Sequence, residues 1–116
     1  MIKEVLREFE ETNYAGETEK KQDVLVMEVS HNTPNYTLRV RKETHTLHNG
    51  YNMTEFMPFA DGNFSYRVTQ GRKSEKKLNI LDSILNSNKE TFVNLWKNGQ
   101  YKTLVETYAL EVAKQL

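Results

Sequence analysis

The spacing of apolar residues changes at Gly71, and that change constrains the fold of this chain more than any other feature. Between residues 23 and 70 apolar side chains tend to recur at every second position, most clearly in the run YTLRV at residues 36–40. That period is typical of a half-buried β-strand. After Gly71 they recur at intervals of three and four residues, the period of an amphipathic helix. Strands grouped ahead of helices predict an α+β fold.

The order of predicted elements follows from the same spacing. Ile2, Val5, Leu6 and Phe9 lie at positions i, i+3, i+4 and i+7, which predicts an N-terminal helix over residues 2–11. Four strands then follow, at residues 23–30, 36–47, 51–59 and 64–69.

Short turns join these strands, because Asn49-Gly50 and Asp61-Gly62 are strong hairpin signals. We therefore expect a four-stranded antiparallel meander, with two or three C-terminal helices packed on one face of the sheet.

The length of the chain and its lack of cysteine narrow the class of protein. The sequence has 116 residues, enough for one domain spanning residues 1–116 with its own core. It contains no cysteine, which excludes disulfides, thiolate nucleophiles and cysteine-based zinc sites. Residues 1–8 are charged throughout, and the longest apolar run covers only residues 24–27. We expect a cytoplasmic protein with no membrane partner.

Sequence motifs for catalysis are absent. The glycines stand alone rather than in a phosphate-binding loop, and neither H-E-x-x-H nor G-x-S-x-G occurs. We therefore expect no cofactor and no enzymatic activity. The nearest approach to a metal site is His45 with His48, but three-residue spacing on a strand points two imidazoles to opposite faces. A small enzyme or metal-binding protein stays open as the second alternative.

The stretch Tyr51–Phe59 departs from the alternation of a half-buried strand, because apolar residues occupy both of its faces. Methionine and aromatic side chains are typical of adaptable protein–protein surfaces. The opposing interpretation is a strand packed into the core. The candidate partner-binding residues are Tyr51, Met53, Phe56, Met57 and Phe59.

Charge is unevenly distributed although the formal net charge is zero. Residues 1–35 carry a net negative charge and residues 36–77 a net positive charge. A basic, exposed sheet face is one way to bind single-stranded nucleic acid, although the neutral total disfavours it. The residues that would form this alternative site are Arg39, Arg41, Arg67, Arg72, Lys73, Lys76 and Lys77.

These features together favour a small non-enzymatic interaction module that binds or inhibits a protein partner, with self-association as a further expectation. The composition, rich in Lys, Asn, Glu and Thr and free of cysteine, suggests a small accessory protein of a bacterium, phage or mobile element. A nucleic-acid-binding protein is the first alternative.

Overall fold

The computed structural model of this protein describes residues 1–48, 51–56 and 62–116. Its strands, with side chains alternating between two faces, form one antiparallel sheet of five strands. For residue 48 and residues 51–56 the description covers the backbone alone. The strands are β1 (Ile2–Thr12), β2 (Thr18–Asn32), β3 (Asn35–His48), β4 (Tyr51–Phe56) and β5 (Phe64–Gln70).

The third strand is long enough to pair with two others along one edge. β1, β2 and β3 are neighbours in chain order, while β5 pairs with β3 over residues 35–40 and β4 pairs with β3 over residues 43–48. The predicted meander therefore holds through β4, and β5 returns to β3 instead of pairing with β4. The predicted turn at Asn49-Gly50 lies outside the described residues, as does Asp61 of the second turn.

Three helices follow the strands, as the change of period predicts: α1 (Glu75–Ser87), α2 (Lys89–Lys97) and α3 (Tyr101–Gln115). Ser74 caps the first of them, because its hydroxyl accepts a hydrogen bond from the amide of Lys77 at 3.3 Å. None of the helices in the described part of the chain is long and apolar enough to span a membrane.

The helices bury one face of the sheet, which we call the inner face. Its alternate residues Leu25, Met27, Leu38 and Val40 are at most 1% exposed and join one core with the helices. The helical side of that core is formed by Leu81, Ile84, Leu85, Phe92, Val93, Leu104, Tyr108 and Val112. The predicted α+β class is thus confirmed.

The predicted N-terminal helix is wrong, because the chain begins with strand β1. A bulge at Leu6 explains the misleading pattern. Ile2 and Phe9 are an odd number of residues apart, which would put them on opposite faces of a regular strand. The extra residue brings both onto one face, since their partners Met27 and Lys21 are an even number apart. A helix this short is marginal alone, and pairing with β2 satisfies its backbone instead.

The core occupies only part of the sheet. One end of the sheet is built by residues 7–12, 18–23, 43–48 and 51–56, and none of its residues with a described side chain belongs to that core. We call these four segments the distal sheet. The protein is correspondingly elongated, with extents of 52 × 28 × 23 Å.

Candidate functional site

A run of four buried polar residues is the most unusual feature of the distal sheet. Glu43, Thr44, His45 and Thr46 on β3 are each less than 9% exposed. Successive residues of a strand point to opposite faces, so both faces of β3 are buried here. Strands buried on both faces are usually apolar, and a buried polar group is costly unless it has a hydrogen-bond partner. We therefore treat residues 43–46 as the centre of the candidate site.

On the outer face of the sheet, away from the helices, charged side chains form a chain of contacts that we call the outer network. Arg41 Nη1 donates to Glu28 Oε1 at 2.6 Å, and its Nε donates to Glu43 Oε1 at 3.0 Å. The second oxygen of Glu43 accepts from His45 Nε2 at 2.9 Å. Burial raises the pKa of Glu43, but hydrogen bonds from His45 and Arg41 outweigh it and hold that pKa below its usual value.

His45 ends the outer network, and within the described part of the chain one of its two ring nitrogens has a hydrogen-bond partner. Its Nδ1 is buried and has no hydrogen-bond partner among the described residues. A carboxylate on one nitrogen orients an imidazole and fixes its tautomer, leaving the other nitrogen to accept a proton or a metal. The described part of the chain, however, holds no group of three or more His, Asp or Glu side chains suited to a metal ion. The structure describes only the backbone of His48, so the pairing of His45 with His48 at a metal stays a prediction.

The inner face of the same segment carries a second polar cluster. Asp23 is 4% exposed and accepts hydrogen bonds from Arg7 Nε at 2.6 Å and from the Thr44 hydroxyl at 2.9 Å. These bonds outweigh burial and hold the pKa of Asp23 below its usual value. The guanidinium of Arg7 also lies 4.2 Å from the centre of the Phe9 ring. The hydroxyl of Thr46, in contrast, has no partner within the described residues.

Acid should unfold the protein through these two carboxyls. Both have a lower pKa folded than unfolded, so their stabilisation is complete above the unfolded values near 4 and is lost as the pH falls through the folded values. We expect the free energy of unfolding to fall steadily between about pH 5 and pH 2. Urea titrations at several pH values, followed by the fluorescence of the single tryptophan, measure this.

The Asp23→Asn, Glu43→Gln double variant provides the control for that titration. It should be less stable at pH 7 and should lose less stability on acidification than the natural chain. Equal losses of unfolding free energy on acidification in the two proteins would contradict the assignment of this pH dependence to Asp23 and Glu43.

The predicted basic site is not gathered on one surface. Register places Arg39, Arg41 and Arg67 on the outer face, as alternation predicts. Arg41, however, is only 15% exposed and its charge is met by two carboxylates of the outer network. Arg67 is exposed, and Arg39 lies opposite Glu28 in the ladder.

The remaining basic residues lie where the chain enters α1. Lys77 lies on the inner side of the sheet, with its ammonium 4.7 Å from the centre of the Tyr36 ring. Arg72, Lys73 and Lys76 are exposed nearby, and Lys73 lies 4.0 Å from Glu75. The predicted nucleic-acid set is therefore divided between the two sides of the sheet.

The predicted partner-binding residues belong to the distal sheet as far as the structure describes them. Backbone register places Tyr51 opposite His48, Met53 opposite Thr46 and Phe56 opposite Glu43. Met57 and Phe59 lie outside the described residues. The described part of the predicted surface is therefore the strand that flanks the buried polar segment.

Comparison with known proteins gives no family for this chain. No family model matches it, and neither the curated proteins nor the solved structures provide a significant match. Its function is therefore inferred from its own residues.

Proposed function

We propose that this protein is a non-enzymatic binding module that engages a protein partner through its distal sheet. One observation carries the proposal: the residues of the distal sheet whose side chains the structure describes (7–12, 18–23 and 43–47) do not belong to the helix-covered core. The edge strand of this region is β4. That strand includes three of the candidate partner-binding residues, Tyr51, Met53 and Phe56. A sheet end that does not serve the main core is available to a partner.

The two edges of the distal sheet differ in what they offer such a partner. β1 carries a bulge, and its distal part exposes Arg7, Glu8, Glu10 and Glu11. Bulges and charges on an edge strand discourage pairing with another strand. The sequence of β4 contains one charged residue, Glu55. The β4 edge is therefore the favoured contact.

The chemistry of the outer network fits a structural role better than a catalytic one. A general base must come within hydrogen-bond distance of its substrate. His45 is only 5% exposed, so a substrate could not reach it while the strands stay paired. The outer network instead serves to fix the shape of the distal sheet.

Paired alanine variants test the proposal. A partner would first be captured from the native host with the full chain and then purified for affinity measurements. Met53→Ala and Phe56→Ala should each weaken binding by tenfold or more, since truncated hot-spot residues cost over about 1.4 kcal/mol. The matched control is Leu110→Ala, which removes a 64% exposed leucine from α3 and should leave the affinity unchanged.

Three results would contradict the proposal. The first is an equal effect of all three variants on affinity. The second is a large loss of unfolding free energy in the two β4 variants, which would show that these side chains are core. The third is capture of nucleic acid whose affinity falls with salt and depends on Arg39 and Arg67, which would favour the alternative function.

A further inference from the structure

Two buried polar atoms without described partners occur at the point where β4 pairs with β3. They are the Nδ1 of His45 and the hydroxyl of Thr46. In the ladder, His45 lies opposite Thr54 and Thr46 lies opposite Met53. Both residues lie between β2 and β4, and of these two strands β4 is the one at the edge of the sheet.

A buried polar atom without a partner favours any state of the protein in which water can reach that atom. A buried donor or acceptor that lacks a partner forfeits the hydrogen bonds it would make to water. Opening restores those bonds, so each atom weakens the closed arrangement by roughly tenfold in its equilibrium constant.

β2, β3 and β5 are anchored to the helix-covered core. β2 and β3 pair along almost their whole length, and their residues outside the distal sheet are central to the core. β5 is also an edge strand, but Phe64, Tyr66 and Val68 pack against that core. β4 has six residues and pairs with β3 alone among the described strands. A short strand that joins the sheet on one side only is the kind of local unit that opens below the free energy of global unfolding.

We propose that β4 opens from β3 as a unit while the rest of the fold stays closed. Opening exposes the edge of β3 over residues 43–48 and gives solvent access to the imidazole of His45. This inference rests on the proposed function only for its consequence, which is that a partner bound to β4 holds that strand against β3. The opening itself requires no partner.

Amide hydrogen exchange on the full chain without a partner tests the opening. Amides of β4 should exchange at least a hundredfold faster than those of residues 25–29 at the centre of β2. Thr46→Val removes the unpartnered hydroxyl and should slow exchange in β4 by about tenfold, leaving residues 25–29 unchanged. Thr37→Val is the matched control, because Thr37 lies on the same strand opposite β5 and should leave β4 unaffected.

Exchange of β4 at the rate of residues 25–29 would overturn the inference, as would a Thr46→Val variant whose β4 exchange is unchanged. These outcomes are separate from failure of the proposed function. If β4 opens but Met53→Ala and Phe56→Ala bind the partner normally, the opening stands and the binding proposal falls. If β4 stays closed and those variants lose affinity, the binding proposal stands and the opening falls.

Discussion

Replacing Arg41 with methionine should destabilise the protein by about 3 kcal/mol, the largest effect that we expect from one charged residue. Arg41 is the only described cation of the outer network with two carboxylate partners, Glu28 and Glu43. Its removal leaves Glu43, whose side chain is 10% exposed, as a buried carboxylate with His45 as its one remaining ion-pair partner among the described residues. The loss lies near the lower end of the range for buried pairs because Glu28 is one-third exposed.

Two further variants distinguish the effect of breaking the buried Arg41–Glu43 pair from the general effect of losing an arginine. Arg67→Met removes an exposed arginine from the same outer face and should change the free energy of unfolding by less than about 0.5 kcal/mol. Arg41→Met combined with Glu43→Met removes both partners and should recover at least half of the loss, because no charge is then stranded. Urea denaturation of the three proteins measures these values. Equal stability of Arg41→Met and Arg67→Met would contradict the outer network as described.

Replacing Gly62 with alanine should destabilise the protein by about 2–3 kcal/mol, since it combines backbone strain with a steric clash. Gly62 has φ +86°, a conformation that residues with a Cβ rarely adopt. A Cβ at this position would lie 2.7 Å from the Tyr101 hydroxyl and 2.9 Å from Trp96 Nε1. It would also disturb the hydrogen bond that Trp96 Nε1 donates to the carbonyl of Gly62 at 2.9 Å.

Gly16 provides the matched control for this substitution. It also has a positive φ, +79°, but a Cβ there would meet no atom within 4 Å. Gly16→Ala should therefore cost about 1 kcal/mol, from strain alone. Urea denaturation gives both losses, and the tryptophan emission of folded Gly62→Ala should shift because its indole contact changes. Equal losses for the two variants would show that Trp96 and Tyr101 do not enclose Gly62.

The fold could be predicted from the sequence where local pattern and distant packing agree. The alternation of Tyr36, Leu38 and Val40 gives strand β3, because one face of that strand does meet the helices. The same reasoning fails at β1, where a bulge at Leu6 imitates helical spacing and pairing with β2 decides the conformation. The pairing of β5 with β3 could not be predicted either, because it depends on how many residues of β3 are left unpaired by β4.

The candidate site was only partly visible in the sequence. The sequence predicts nucleic-acid binding for Arg41 and metal binding for His45, whereas the structure links the two residues through Glu43. A signal did exist: three ionisable residues at positions i, i+2 and i+4 must share one face of a strand. Their burial could not be inferred, because the strands that flank them, β2 and β4, are brought there by long-range pairing.

The most direct test of the distal sheet as the binding surface is amide exchange of the chain with its partner bound. We predict that binding slows exchange at least tenfold in β4 and in residues 43–48 of β3. Exchange on the exposed side of α3, around Leu110, should stay the same with and without the partner. Protection of α3 with no change in β4 would contradict the account.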